Sequence, residues 1–381
     1  MTSIEMHFSS ANYEVCEVTE STDLDSLRGQ WLGFLPQVMN RSYVHEFSWS
    51  KAVSSDLLPG RVAYYCVYDS GKLIAVVPLE RCSRGVGFFS LRWLQLPTDS
   101  NIYLNDILVD RAYARSGILD FVLKHVASQS GFSWDYCKLR KFSEQSTLFA
   151  ELQDTSSLVR KISECDYIPC GERADLQHIS RKMWKNCTRL ARKAEREVGE
   201  IALSSSELSG QREEFYREFM NIESSGWKGH DGSCTSLAAD ELAQKFFGAL
   251  FVNCGEDIRS RVFLLHFGEK AVAGMLAIRV GGTWHILKVG YSEEYKKYGP
   301  GSVLLQRFIE LMVDDPEVTE INLTTAPYWA DRWHFESAAV YEAVCFGPTL
   351  LANLSFIYFY AKDKLASIRD RWISPAKGVC D

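Results

Sequence analysis

The stretch KKYGPGSVLLQRFIELM, residues 296–312, joins a stiff glycine-rich turn to a helix. Apolar residues recur at spacings of three and four from Val303 to Met312, which predicts an amphipathic helix. Free main-chain N–H groups at the positive end of a helix dipole suit a phosphate group, although many ordinary helices begin in the same way. Only the surrounding sequence can distinguish a phosphate-binding turn from an ordinary helix start.

The composition is that of a globular protein. The chain has 381 residues, of which 46% are hydrophobic and 24% are charged, and its formal net charge is -7. By length it can form two or three domains with a sizeable core. The acidic balance excludes a general attraction to nucleic acid or to an anionic membrane.

The cysteine pattern and the N-terminus favour a cytoplasmic protein. The eleven cysteines include no CxxC pair and no zinc-finger spacing, so we expect reduced thiols and no metal site. The first residues lack the basic start and apolar run of a signal peptide. The most apolar late stretch, residues 350–360, contains Asn353 and Ser355 and is too short to span a bilayer. We predict that it is a buried strand.

Two segments have the same layout. Residues 61–81 and 261–282 each combine two β-rich runs with a short turn, which is the signature of a hairpin. Each hairpin is followed by a strand candidate, an amphipathic helix and another strand. This order predicts two mixed α/β domains, 1–172 and 173–381, with the boundary near residues 163–177, where the periodic pattern lapses.

Only the second half has the Gly-Pro-Gly turn before its helix. Gly299 and Gly301 lack a Cβ where a backbone has to approach a ligand closely. Pro300 has no N–H, so the expected donors are those of Gly301, Ser302 and Val303. The turn is neither a Walker A loop nor a GxGxxG motif, which disfavours nucleotide and dinucleotide binding. We therefore expect a different phosphate-bearing ligand in the second half.

Between the two halves lies a basic segment, residues 180–200. Its cationic side chains recur at helical spacing and are Arg181, Lys182, Lys185, Arg189, Arg192, Lys193 and Arg196. A solvated helix face explains this pattern, and so does attraction of an anionic cofactor, an acceptor or a membrane surface. No nucleic-acid reader motif accompanies it.

Specific motifs resemble one family over most of the chain. The order of hairpin, strand, Gly-Pro-Gly turn and helix resembles the GNAT acyltransferase fold. The stretches ESSGWKGHDGSC (223–234), AVAGMLAI (271–278), LKVGYSEEYKKYGPGSVLL (287–305) and DRW (331–333) are similar to the cellulose-biosynthesis-associated branch of GNAT acetyltransferases, which are relatives of the FemAB aminoacyl transferases. FSWSKAV, LIAVVPLE and LQLPTDSNIYLNDILV resemble the N-terminal domain of that branch.

The resemblance implies a fold, a reaction and a donor. The fold would be α/β, with two tandem GNAT-like domains on mixed sheets and the acyl-CoA site in the second. The reaction would transfer an acyl group from acetyl-CoA or another acyl-CoA to a small molecule, a sugar or a cell-envelope precursor, as in polysaccharide biosynthesis. The residues expected to hold the pyrophosphate are Tyr298, Gly299, Pro300, Gly301, Ser302 and Val303.

The remaining candidate residues would act on the thioester or the acceptor. Glu223 and Asp331 are candidate general bases, and Tyr291 is a candidate proton donor to the leaving thiolate. Lys288 interrupts an apolar strand, where an ammonium is costly to desolvate, so it is expected to bind an anion or pair with an acid. The candidates for the acceptor wall are Trp227, Lys228 and Trp333. Each of these residues also has an ordinary structural explanation.

Two other functions compete with acyl-CoA transfer. A FemAB-like aminoacyl transferase that uses charged tRNA would make use of the basic segment. A non-catalytic module would keep the fold without the chemistry. The acidic net charge and the Gly-Pro-Gly turn favour the acyl-CoA reading. The oligomeric state is open.

Overall fold

A computed structural model describes residues 13–19, 21–86, 89–128, 132–153, 157–171, 179–207, 209–225 and 237–373. These residues form thirteen strands and ten α-helices. The strands are β1 (Tyr13–Val18), β2 (Val62–Asp69), β3 (Lys72–Val86), β4 (Phe89–Gln95), β5 (Leu108–Val109), β6 (Tyr136–Ser143), β7 (Leu158–Pro169), β8 (Ile201–Ser205), β9 (Arg259–Phe267), β10 (Lys270–Val280), β11 (Thr283–Tyr291), β12 (Glu320–Asn322) and β13 (Glu336–Phe346).

The helices lie on both faces of the strands. They are α1 (Ser21–Ser26), α2 (Arg28–Phe34), α3 (Phe47–Ala52), α4 (Ile118–Ser128), α5 (Thr147–Leu152), α6 (Arg181–Glu197), α7 (Arg212–Ser224), α8 (Glu241–Phe251), α9 (Pro300–Val313) and α10 (Leu350–Ile373).

All thirteen strands belong to one mixed sheet. Its order is β1-β2-β3-β4-β6-β13-β7-β12-β11-β10-β9-β8, and β5 pairs with β3 off this path. The two hairpins predicted from the sequence are present as β2–β3 and β9–β10. Each hairpin continues into a third, antiparallel strand, which is β4 in the first half and β11 in the second. After a helix, a further strand pairs in parallel with that third strand: β6 pairs with β4, and β12 pairs with β11. The prediction of a mixed α/β fold with two similar halves is confirmed.

The centre of the sheet is an exchange of strands between the halves. β7 follows the first half in sequence but pairs with β12 of the second half. β13 ends the second half but pairs with β6 of the first. β7 and β13 also pair with each other in antiparallel orientation. Because each half supplies a strand to the other, the two halves form one continuous ladder.

One hydrophobic core is shared by both halves. It lies on the face of the sheet that carries α1–α3 from the first half and α7 and α8 from the second. On the opposite face α4 and α5 cover the first half, and α6 and α9 cover the second. Trp49 of α3 packs edge-on against Phe246 of α8, with ring centroids 5.1 Å apart. This shared layer positions segments of the first half beside the second.

Residues 350–360 form a helix, so the prediction of a buried strand is wrong. They begin α10, on which Leu350, Leu354 and Ile357 are exposed. An apolar run of this length does not distinguish strand from helix by periodicity. Among the described residues, no helix is both long and apolar enough to cross a membrane.

The basic segment is helical, as its spacing predicted. α6 buries Cys187, Ala191 and Ala194 against the second half. Arg189 and Arg192 lie on its exposed side. The structure therefore confirms a solvated basic face, while an anionic partner for it stays a prediction.

The proposed domain boundary falls at the end of β7. Residues 163–169 belong to that strand, and residues 172–178 lie outside the described part of the chain. The division into 1–172 and 173–381 stays a prediction. The exchange of β7 and β13 means that a cut there would leave each half without a strand that completes its sheet.

Substituting Val340 tests the dependence of both halves on the exchange. Val340 is buried in β13 and pairs with Ser143 of β6 and Ser163 of β7. We expect Val340→Asp to lower the free energy of unfolding by on the order of several kcal/mol, because a carboxyl group would be buried at the centre of the sheet, where Val340 is 2% exposed. Val340→Ala should cost less, because it deletes only methyl groups.

The measurement is urea denaturation followed by circular dichroism, with limited proteolysis of both variants. Val340→Asp should make the first and the second half susceptible together. Persistence of one protease-resistant half in Val340→Asp would show that the halves fold independently of the exchange.

Candidate active site

A cleft of about 680 Å³ opens in the second half, where β11 and β12 separate. The two parallel strands pair over three residues each, ending at His285 and Asn322. Beyond these residues β11 continues to Tyr291 without pairing with β12. When two parallel strands diverge, a gap opens between their backbones. The main-chain groups on the inner edge of β11 then face this gap and no longer bond to a neighbouring strand.

A β-bulge lies at the mouth of this gap. In the pairing of β10 with β11, Leu276 is opposite Lys288 and Ala277 is opposite Ile286, so Leu287 is the additional residue. A bulge bends the strand and re-aims its side chains. Here it places Leu287 and Lys288 towards the same face of the sheet, because Leu287 joins the shared core and Lys288 approaches Phe247 of α8.

Beyond the bulge, the side chains of β11 alternate between the two faces. Val289 and Tyr291 pack with the core on the α9 side. Gly290 lies on the other side, where a Cβ would come within 3.1 Å of Glu223 Cβ on α7. The cleft is therefore bordered from both faces of the sheet, by α9 on one and by α7 and α8 on the other.

The Gly-Pro-Gly turn forms the start of α9 at the rim of the cleft. Gly299 is left-handed, with φ 59° and ψ 48°, and Pro300 occupies the first helical position. No side chain in the described part of the chain caps this end. The Val303 amide already donates to the Gly299 carbonyl at 3.0 Å. The donors left at this turn are therefore those of Gly301 and Ser302, which both line the cleft.

Tyr298 and Val303 support the turn from behind and do not line the cleft. Tyr298 is buried, and its hydroxyl donates to the Glu197 carboxylate of α6 at 2.9 Å. Val303 is fully buried in the core between α9 and the sheet. These contacts hold the turn against α6 and the core. The turn residues that line the cleft are Gly299, Pro300, Gly301 and Ser302.

Tyr291 lies between the gap and the turn. A Cβ on Gly301 would be 3.3 Å from Tyr291 Cδ1, so the ring lies against the start of α9. Burial, followed by the charge of Glu293, raises the pKa of the Tyr291 phenol. The hydroxyl therefore stays protonated at neutral pH and is able to donate a proton.

Glu223 lies on the opposite side of β11 from Tyr291. It is 2% exposed at the end of α7, and its carboxylate accepts a hydrogen bond from the Leu237 amide at 2.9 Å. The structure brings it beside the cleft strand at Gly290. Glu223 therefore lies directly behind β11, on the face of the sheet covered by α7.

Lys288 lines the cleft on the same side as Glu223. It is half-buried, and its ammonium lies 5.5 Å from the ring centroid of Phe247 and 5.9 Å from that of Tyr103. Aromatic faces attract a cation. The strand placement expected for this lysine is confirmed.

Two of the other candidate residues are described and do not line the cleft, and two lie outside the described part of the chain. Asp331 is exposed and is not part of the cleft lining. Trp333 is fully buried and packs 6.4 Å from Trp184 and 5.6 Å from Phe335, between ring centroids. Trp227 and Lys228 lie outside the described residues.

Sequence reasoning missed three aromatic residues of the cleft. Tyr103 comes from the first half, between β4 and β5, and Tyr328 and Trp329 follow β12. Tyr328 is 82% exposed and Trp329 is 37% exposed, so both rings are accessible at the edge of the cleft. No local signal in the sequence could place Tyr103 here, because it arrives through the packing of the two halves.

Within the described ranges, no group of three or more His, Cys, Asp or Glu side chains could hold a metal ion.

One family model matches part of the chain. Residues 181–333 match the model described as an acetyltransferase (GNAT) domain. This stretch contains α6, the diverging strands and the Gly-Pro-Gly turn. No curated protein sequence matches the chain at a significant level.

Solved structures with TM-scores above 0.5 share the fold across both halves. L-PGS from Bacillus licheniformis is 15% identical, with a TM-score of 0.53 over 86% of this chain and 95% of that one. FemX is 12% identical, with a TM-score of 0.54 over 87% and 96%. A tandem GNAT protein from the clavulanic acid biosynthesis pathway is 13% identical, with a TM-score of 0.49 over 88% and 99%.

The two glycines of the turn should respond differently to alanine. We expect Gly299→Ala to lower the free energy of unfolding by about 1–2 kcal/mol, because a residue with a Cβ is strained at positive φ. Its Cβ would also meet Leu190 Cδ1 at 2.9 Å. Gly301→Ala is the matched control, since Gly301 has no positive φ and its new Cβ would touch only Tyr291. Equal losses in urea denaturation of the two variants would contradict this assignment.

Proposed function

We propose that this protein is an acyl-CoA-dependent N- or O-acyltransferase, with acetyl-CoA as the first donor to test. The observation that carries the proposal is the placement of an uncapped helix start at the rim of a gap between diverging parallel strands. The match of residues 181–333 to a GNAT acetyltransferase domain supports an acyltransferase. Fold alone does not identify the donor, which has to be inferred from the residues of the site.

The pyrophosphate of acyl-CoA fits the turn. The amides of Gly301 and Ser302 have no main-chain partner in the described part of the chain, and they stand at the positive end of the fourteen-residue helix α9. Gly299 supplies the left-handed bend. Pro300 suits the first helical position because it lacks an N–H, and an N–H at this position would have no partner within the helix. Lys296 also lines the cleft beside the turn, where its ammonium is paired with the Glu293 carboxylate at 3.0 Å.

The thioester then enters the gap between β11 and β12. Main-chain N–H groups along the cleft edge of β11, near the bulge at Leu287, are placed to polarise its carbonyl oxygen. The acceptor attacks the carbonyl carbon directly, so that the bond to the acceptor forms as the bond to sulfur breaks. Most of the acceleration in such a reaction comes from holding the two reactants in position.

The two faces of β11 supply an acid and a base. Tyr291 lies on the α9 side, where the leaving thiolate would be, and its protonated hydroxyl can donate to that sulfur. Glu223 lies on the α7 side, and we assign it the role of accepting the acceptor's proton, directly or through water. Neither carboxylate lines the cleft itself, and Asp331 is the weaker candidate because it is exposed, whereas Glu223 is buried against Gly290 of the cleft strand.

The first half should not bind CoA. In the first half, β4 is the counterpart of β11. It ends at Gln95, which is also its last residue paired with β6, so β4 does not continue past its parallel partner into a gap as β11 does. The Gly-Pro-Gly turn is likewise confined to the second half. One acyl-CoA site per chain follows from these two differences.

The acceptor is proposed to be a small molecule, a sugar or a cell-envelope precursor, on the strength of the resemblance to the cellulose-biosynthesis-associated branch. A second candidate function is aminoacyl transfer from charged tRNA. The shared fold with FemX and the exposed basic face of α6 favour it. The net charge of -7 and the turn at α9 favour acyl-CoA instead.

Replacing Gly301 tests the proposal. Gly301→Glu adds bulk and a negative charge at the position of the pyrophosphate. Each lost hydrogen bond to a charged group is worth about 1.5–3 kcal/mol, so the loss of two should weaken CoA binding by roughly two to four orders of magnitude. Isothermal titration with CoA measures the affinity, and it should give one site per chain for the parent protein.

Gly301→Ala is the control and should retain most of the affinity, because it adds only a Cβ against Tyr291. A folded Gly301→Glu protein that binds CoA as tightly as the parent would show that the turn is only a helix start. Two equivalent CoA sites in the parent would contradict the assignment of a single active half.

A further inference from the structure

The cleft of the second half is completed by the first half. Tyr103 lies between β4 and β5, almost two hundred positions before the Gly-Pro-Gly turn, yet both line the same cleft. It reaches the cleft because the first half packs on α7 and α8 through the shared core. Burial, followed by the charge of Glu223, raises the pKa of the Tyr103 phenol, so this ring lies close to the carboxylate on the α7 side.

The ammonium of Lys288 lies between two rings on that side. Its Nζ is 5.9 Å from the centroid of Tyr103, from the first half, and 5.5 Å from the centroid of Phe247, from α8. Aromatic faces attract the cation without accepting ordinary hydrogen bonds from it. Because Lys288 also lines the cleft, its positive charge attracts an anion that enters there.

This cation lies on the opposite face of β11 from the pyrophosphate turn. The bulge at Leu287 turns Lys288 towards α8, whereas Tyr291, beside the turn, points towards α9. The negative charges of CoA are thus expected on one face and the Lys288 ammonium on the other.

We propose that Lys288, Tyr103 and Phe247 form an acceptor subsite that takes an anionic group, either a carboxylate or a phosphate. In this arrangement Lys288 binds the anion, and Tyr103 is a positioning residue that fixes the lysine from the first half. Calling the subsite an acceptor site rests on the proposed function. Its affinity for a simple anion is measurable whether or not the protein binds CoA.

The experiment uses inorganic phosphate and acetate as probes of the full-length protein. The background variant is Gly301→Glu, whose added charge keeps anions away from the turn. Isothermal titration at constant ionic strength should show saturable binding of at least one probe. Lys288→Gln should weaken it by about 10- to 100-fold, since a hydrogen bond to a charged group is lost. Lys288→Arg should restore most of it.

The contribution of Tyr103 is tested in the same background. Tyr103→Ala should weaken the probe by about three- to tenfold, because the ammonium loses one of its two ring contacts. Tyr103→Phe keeps the ring and should stay within about twofold of the parent. Lys245→Gln is the matched control, because Lys245 is an exposed lysine of α8 paired with Glu241, and it should leave probe binding unchanged.

Two outcomes overturn the subsite: no saturable binding of either probe, or binding that Lys288→Gln leaves unchanged. CoA titration of Lys288→Gln in the otherwise unchanged protein separates the two proposals. Its CoA affinity should remain within about twofold of the parent, because Lys288 lies on the other face of β11. A parent protein that does not bind CoA, combined with probe binding that depends on Lys288, would remove the acyl-CoA assignment and leave the anion subsite in place.

Discussion

The separation of β11 from β12 after three paired residues is the constraint on which the site depends. Two parallel strands that stayed paired would fill the space that the cleft occupies and would use the donors on that edge of β11 in a ladder. The short length of β12 ends the pairing, and the bulge at Leu287 bends β11 where the gap begins. The helix start at Gly299 then lies at the rim of an opening instead of against a closed sheet.

The exchange of β7 and β13 holds this opening in place. A gap in the middle of a sheet weakens it locally, and β12 pairs with β11 over only three residues. Its other edge pairs with β7, which is itself paired with β13 along most of its length. The first half thus supports the strand that borders the cleft. Through the same packing it brings Tyr103 to the α7 side of the cleft, so the first half contributes a residue to the lining.

The two faces of β11 divide the proposed chemistry. The α9 side has main-chain donors, a helix dipole and a protonated tyrosine, which suit a phosphate and a leaving thiolate. The α7 side has a buried carboxylate and a half-buried ammonium, which suit an acceptor that loses a proton. Proteins with different printed names share this fold with the chain. The turn at Gly299 and the residues on each face of β11 are therefore better guides to the reaction than the fold itself.

The sequence by itself determined the local elements. Alternation and turn residues predicted both hairpins, helical spacing predicted α6 and α9, and Gly299-Pro300-Gly301 predicted a helix start open to a ligand. These signals are local, since they depend on neighbours within a few positions. Residues 350–360 were assigned wrongly because an apolar run does not separate a strand from a helix. Only the tertiary structure decided the exchange of β7 with β13, the bulge that turns Lys288, the burial of Trp333 and the arrival of Tyr103. Each of these follows from contacts between segments far apart in the chain, which no periodicity within one segment records.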